Sequence, residues 1–243
     1  MRYAGDLFAA FGEQLREQRL SANRSQPIGA GTFGSVYESD TPGNVMKQLH
    51  PSWNGMGGDL VEEANLQAVA AELGLAPKVA GIETFRGGIG DRVEMQDVRN
   101  NFEAREFGDK FPVGMDAVRV NQQLGQLALK GIRLEDRHNG NIRYNKMTGR
   151  PIQLDFGVAG KVSGSEQVAT LTMATADGLQ AAGLGDVASI YRATVMDLLE
   201  GGDVKDAMDV AKQGFSRLQK IKQPLEGVAI KSNRQPPDVV SWL

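Results

Sequence analysis

Four side chains in this sequence have the types and spacing to work on a polyphosphate: Lys47, Asp136, Asn141 and Asp155. Asp136 and Asn141 stand in Asp136-Arg-His-Asn-Gly-Asn141, and Asp155 opens Asp155-Phe156-Gly157 further on. Between them lie the strand-like pieces Ile142-Arg-Tyr and Ile152-Gln-Leu, flanking a turn at Lys146-Met-Thr-Gly149. A hairpin of that length brings Asn141 and Asp155 together at its open end. One carboxamide oxygen and one carboxylate suit magnesium, a hard ion that prefers oxygen ligands and keeps waters for phosphate. Asp136, across the turn, is then placed to accept a hydroxyl proton and orient a nucleophile. Taken singly, each has a plainer use, as helix cap, turn residue or surface acid. At this joint spacing they form one hypothesis.

Lys47 sits in Val45-Met46-Lys47-Gln48-Leu49, an otherwise apolar strand. A lysine buried there is expensive unless it meets anions, so phosphate on one side and a carboxylate on the other are expected. The alternative is an edge-strand lysine whose head reaches water. Upstream, Gly29-Ala-Gly31-Thr-Phe-Gly34 matches G-x-G-x-x-G. In a dinucleotide fold the last glycine of that pattern opens a helix. Here Ser35-Val36-Tyr37-Glu38-Ser39 alternates like a strand and Pro42-Gly43 turns the chain soon after, leaving no room for one. The other use is a hairpin lid whose backbone amides approach phosphates because no Cβ intervenes. Ile28 opens this segment and is placed with it in a nucleotide site. Val36, two residues after the last glycine, would point its side chain at an adenine. The carboxylate for Lys47 is expected from a helix over 59–73, where Glu62 and Glu63 both qualify.

The positioning elements are legible in outline. Leu7, Phe8, Phe11 and Leu15 recur at helical spacing, predicting an amphipathic helix before a polar linker at 21–26. Thr41-Pro-Gly-Asn44 signals a turn between two strands. Leu60, Ala64, Leu66, Val69, Ala70 and Leu73 predict a helix stopped by Gly74 and Pro77. Strand-like pieces follow at 78–85 and 92–98, and helical spacing returns over 115–130. From about Glu166 the chain reads as helix, broken at 183–185 and 201–202, with an irregular end from Pro224. Strands gather in the first hundred residues and helices in the remainder, which implies an α+β protein of two lobes.

Composition narrows the field. The chain has 243 residues, 41% hydrophobic and 23% charged, which is ordinary globular composition. A formal charge of −3 advertises no nucleic-acid or acidic partner. There are no cysteines and only His50 and His138, so neither a disulfide framework nor a zinc site is expected. No apolar run approaches membrane-spanning length and no secretory leader is seen, so a cytoplasmic protein without membrane contact is expected. The basic tail residues Lys212, Arg217, Lys220, Lys222, Lys231 and Arg234 lack aromatic interleaving and read as a solvated face.

With the glycine loop, the lysine, D-x-x-x-x-N and Asp-Phe-Gly in this order, the chain resembles the protein-kinase-like superfamily over about residues 28–202. The resemblance implies a small β-rich N-lobe over 26–98 and a trimmed helical C-lobe over 99–243, preceded by the helix and linker of 1–25. It implies ATP and magnesium as cofactors. It places Met95 at the gatekeeper position, with the backbone of Gln96 to Val98 facing adenine, and it favours Glu63 as the partner of Lys47. Asp186, at the head of a helix ending in Leu198-Leu-Glu-Gly, would brace the catalytic loop through its backbone.

Departures shape the functional expectation. The usual H-R-D is Leu134-Glu135-Asp136, and Glu135 cannot pair with a phosphorylated loop, so no switch of that kind is expected. His138 replaces the usual lysine; it can contact phosphate only as a donor, and the loop is similar to the D-x-H-x-x-N loops of the atypical and small-molecule branches of the superfamily. Ser163, Ser165, Thr170, Thr172 and Thr175 line the expected activation segment, where exposed hydroxyls are common, and no A-P-E follows. The early end resembles compact kinases of bacterial effectors and viruses, which would include the host cytosol as a location. The first expectation is a minimal Ser/Thr protein kinase acting on a protein substrate. The alternatives are a kinase with a small-molecule acceptor and a non-catalytic kinase-like scaffold in a larger assembly.

Overall fold

The structure is a computed structural model and describes residues 26–31, 34–50, 59–84, 91–105 and 111–222. The expected amphipathic helix near the start, the loop of 51–58, the turn around Gly87 and the end from Pro224 lie outside the described residues. The chain is α+β and divides into two compact units, one of residues 1–64 and 78–97, the other of 65–77 and 98–243.

The first unit is built on a five-stranded antiparallel sheet. Its strands are β1 (Gly29–Ala30), β2 (Gly34–Glu38), β3 (Asn44–Leu49), β4 (Val79–Glu83) and β5 (Arg92–Gln96), in the order β1-β2-β3-β5-β4. The β2–β3 hairpin closes through Asn44 N–H donating to the Thr41 carbonyl across Pro42-Gly43. β3 is therefore the central strand and is covered on both faces: Val45, Met46 and Lys47 are all buried. Helix α1 (Leu60–Glu72) starts at Asp59, whose carboxylate accepts from Val61 N–H at 2.9 Å and Glu62 N–H at 3.2 Å. Leu60 and Ala64 share a core cluster with Val45, Leu49, Val93 and Met95. The helix ends in a Schellman arrangement, with Gly74 N–H on Ala71 O and Leu75 N–H on Ala70 O. Gly74 has φ +71, a conformation that favours glycine.

The second unit carries the rest of α1 and helices α2 (Gly114–Leu129), α3 (Gly164–Ala181), α4 (Gly185–Glu200) and α5 (Val204–Leu218). Two small sheets accompany them: β6 (Phe102–Glu103), β8 (Ile142–Asn145) and β9 (Pro151–Gln153) form one, and β7 (Ile132–Leu134) with β10 (Ala159–Lys161) forms the other. The β8–β9 hairpin is fixed at its base. Gln153 N–H donates to Leu75 O, and the buried Gln123 side chain on α2 donates to Pro151 O. At its tip, Asn145 Oδ1 accepts from Met147 and Thr148 N–H. Buried Tyr191 donates to Ala211 O at 3.2 Å, and burial pushes its phenol up to about 12.

The helices approach closely through small residues. A Cβ on Gly125 would lie 2.1 Å from the ring of Phe215, which is 1% exposed. In an open helix Gly→Ala gains about 1 kcal/mol. Here the ring cannot retreat, so Gly125→Ala should instead destabilise by about 1–3 kcal/mol, read as a lower urea midpoint at unchanged slope. A more stable variant would show that α2 and α5 do not pack this tightly.

The expected activation segment is corrected here. After Gly157 the chain turns, with Ala159 N–H on Phe156 O, pairs with β7, and enters α3 at Gly164. Thr172 and Thr175 lie in the core of that helix, 1% and 0% exposed, their hydroxyls donating to Val168 O and Leu171 O. They are structural. The bracing role of Asp186 is also corrected: it is exposed in the first turn of α4 and makes no hydrogen bond to residues 136–141. The physical reason is that α3, not α4, packs against both α2 and β7.

Candidate functional site

The candidate residues fall into two groups, one in each unit. In the first unit, Gly29 pairs with Val36, and Ile28 N–H donates to Val36 O at 2.8 Å. Gly31 N–H donates to Gly34 O at 2.9 Å, closing the glycine turn. Gly29 and Gly31 are exposed, and an added Cβ at either would meet nothing nearer than 3.9 Å within its own surroundings. Their open backbone suits close approach by a ligand. Gly34 differs. A Cβ there would lie 2.5 Å from Gln48 O, so its glycine is required by packing on β3.

Val36 is the cross-strand partner of Lys47, and Val93 is its partner on the other side. The Lys47 ammonium contacts a carboxylate of Glu63, with side chains 8% and 7% exposed. Glu62 is exposed and off that face. The edge-strand alternative for Lys47 does not apply, because β3 is central. Strand alternation also places Val45 on the Lys47 face, opposite Met95. The sequence reading passed over Val45, although its spacing two residues before Lys47 carries that information. Met95 is 6% exposed, and Gln96 N–H donates to Lys78 O. The units divide just after Asp97, so Val98 falls in the second, where its carbonyl accepts from Asn101 and Phe102 N–H.

In the second unit, Asp136, His138 and Asn141 share one tight loop between β7 and β8, closed by a 3-10 turn over Asn139–Asn141. Asn141 donates its amide to the Asp136 backbone carbonyl at 3.2 Å and to Asp136 Oδ2 at 3.1 Å. Its backbone carbonyl accepts from Leu154 N–H at 2.8 Å, next to Asp155. The hairpin thus does bring Asn141 beside the Asp155 segment. Asp155 Oδ1 accepts from Gly157 N–H at 2.9 Å, and Phe156 is buried with Leu66, Ala70, Leu134 and Ile142. His138 turns back into the loop: Nδ1 accepts from Gly140 N–H at 2.9 Å, and Nε2 is 3.4 Å from Asp136 Oδ2.

This donor set fits magnesium. With its nitrogen committed to Asp136, Asn141 has its amide oxygen to offer, and Asp155 adds a carboxylate just beyond β9, both hard ligands. Among the described residues no helix is long and apolar enough to cross a membrane.

No protein-family profile matches the sequence, and no curated protein matches it. Among solved structures the chain is similar to the PknI kinase domain of Mycobacterium tuberculosis, at 16% identity over 82% of this chain and 95% of that one, with a TM-score of 0.48. A second PknI structure aligns at 18% identity over 65% and 72%, with a TM-score of 0.45. The PK-1 kinase of Cydia pomonella granulovirus aligns at 13% identity over 63% of this chain and 61% of its own, with a TM-score of 0.42. These are likenesses to protein kinase domains.

Proposed function

We propose that the chain is an ATP-dependent phosphotransferase that moves the γ-phosphate to a hydroxyl, with a protein serine or threonine as the first acceptor class. The observation that carries this reading is the 136–155 arrangement: one asparagine holds Asp136 through its side chain and Leu154, the residue before Asp155, through its backbone. A surface acid or simple turn residue has no need of both ties. In this reading the exposed backbone of Gly29 and Gly31 and the Lys47 ammonium hold phosphate oxygens, and Glu63 fixes the ammonium. Val36, Val45 and Met95 line the adenine, with the backbone of Gln96 and Val98 at its edge. Asn141 and Asp155 hold magnesium, which when bound neutralises charge on the phosphates. Asp136 accepts the proton of the acceptor hydroxyl and orients its oxygen.

A second reading, a small-molecule hydroxyl, is favoured by one observation. Only Val158 to Ser163 separate Gly157 from α3, and three of those residues pair with β7, so no extended segment is left there to lay a peptide along.

Incubation of the full chain with magnesium and γ-labelled ATP, with generic protein substrates or small alcohols, separates these readings. Label should pass to protein hydroxyls and be lost in Asp155→Ala. Label on small alcohols alone would move the assignment to the second reading. ATP that raises the melting temperature with no transfer to any acceptor would overturn the enzyme.

A further inference from the structure

The transfer step proposed above gives His138 no contact, and the structure turns its ring back onto two neighbours in the loop. Nδ1 accepts a hydrogen bond from Gly140 N–H at 2.9 Å, so that nitrogen carries no proton. The proton of the neutral ring is then on Nε2, the nitrogen 3.4 Å from Asp136 Oδ2. Asn141 Nδ2 addresses the same carboxylate oxygen at 3.1 Å. One N–H of the loop is therefore hydrogen-bonded to that oxygen of Asp136, and the His138 ring nitrogen stands close beside it. A second observation stands apart from hydrogen bonding. A Cβ at Gly140 would lie 2.4 Å from His138 Cε1 and 2.7 Å from Nδ1, although Gly140 does not have a left-handed backbone. A side chain at 140 would displace the imidazole from this position.

We propose that His138 is a positioning residue: seated on Gly140 as the Nε2–H tautomer, it works with Asn141 to hold Asp136 by Oδ2 and turn Oδ1 to the acceptor hydroxyl. This rests on the phosphotransferase reading of the same loop. It replaces the sequence-based expectation of a phosphate contact with a role exerted through Asp136. The ring nitrogen next to the carboxylate is fixed by the partner of the other nitrogen, a general property of imidazole in polar sites. The 3.4 Å separation is long for a hydrogen bond, as such contacts often are before substrate arrives.

Three variants and one spectrum test this. In ¹⁵N-histidine-labelled full chain, two-bond nitrogen–proton correlation should show His138 with an unprotonated Nδ1 and a protonated Nε2. His50→Gln assigns the second signal. The opposite tautomer would overturn the proposal without any activity measurement. His138→Ala and Gly140→Ala should each lower kcat by about tenfold, the effect of one hydrogen bond to a charged group, with KM for ATP unchanged. The double variant should be no worse than either single one, because Gly140 acts only through the ring. Multiplying effects would overturn the link between them. His138→Asn keeps a side-chain acceptor for Gly140 N–H but removes the ring Nε2–H near Asp136, its own amide N–H sitting on a shorter arm. It should remain folded and still be slow; wild-type kcat in this variant would make His138 a turn cap and nothing more. A wild-type chain that transfers no phosphate would sink the phosphotransferase reading and the positioning role with it. That pattern differs from an active wild type with unaffected variants.

Discussion

Lys47→Met should destabilise the chain by about 3 kcal/mol, because it takes an ammonium away from the buried Glu63 carboxylate. Both side chains are under a tenth exposed, so water cannot take over the lost partner. The comparison within the same chain is Arg133, which bridges Glu135 and Glu166 with all three side chains 40–56% exposed. Breaking that surface pair should cost about 1 kcal/mol or less. A buried ion pair need not be net stabilising, however, since its desolvation offsets much of the attraction. Lys47→Met/Glu63→Leu, which replaces the pair by apolar groups on the Val45–Val93 face, should therefore recover most of the lost stability in urea unfolding. Phosphate transfer should not recover. Both variants should be on the order of a hundredfold slower or worse, the usual consequence of removing one preorganised donor from a developing anion. Recovery of transfer alongside stability would show that Lys47 serves the sheet and not the nucleotide. An unchanged urea midpoint for Lys47→Met would show that Glu63 is reached by water.

The choice between Glu62 and Glu63 was not legible from spacing, since Leu66, Val69 and Leu73 give Glu62 an apolar stripe of its own. The structure decides it: Leu60, Glu63, Ala64 and Gln67 are buried, while Glu62, Val69 and Leu73 are exposed. The Pro42-Gly43 turn, the Gly74 stop and the breaks near 183 and 201 were legible because each is local chemistry. What was not legible depends on partners far along the chain. Three residues, Ala159-Gly160-Lys161, carry no periodicity, and they form a strand only because β7 lies alongside. The helix expected from about Glu166 is present, but the activation segment expected over its hydroxyls came with the resemblance, and spacing did not show which of them face the core. Packing of α3 on α2 buries Thr172 and Thr175, which donate to carbonyls four residues back. The two ties of Asn141 follow the spacing of the hairpin, which the sequence set out. The seat of His138 on Gly140 does not, since spacing says nothing of ring orientation.

Asp136→Ala should produce the opposite signature to Lys47→Met, with transfer lost and the fold kept. Its side chain is 41% exposed and accepts from Asn141 Nδ2, whose second bond, to the Asp136 backbone carbonyl, survives the substitution. The stability lost should therefore be below about 1 kcal/mol, or about 2–4 °C in Tm for a chain of this size. The rate should fall by about 10²–10⁴-fold, the range that a positioned general base supplies. Because Asp136 neither ligates magnesium nor touches the nucleotide in this reading, the rise in melting temperature with magnesium and ATP should persist at its wild-type size. KM for ATP should hold while kcat and kcat/KM for the acceptor fall together, as expected when an interaction made in the transition state is removed. Asp155→Ala cannot give this combination, since removing a metal ligand weakens binding and chemistry alike. An Asp136→Ala chain that transfers phosphate at the wild-type rate would remove the base from the proposal, and one that no longer responds to ATP would place Asp136 among the ligands instead.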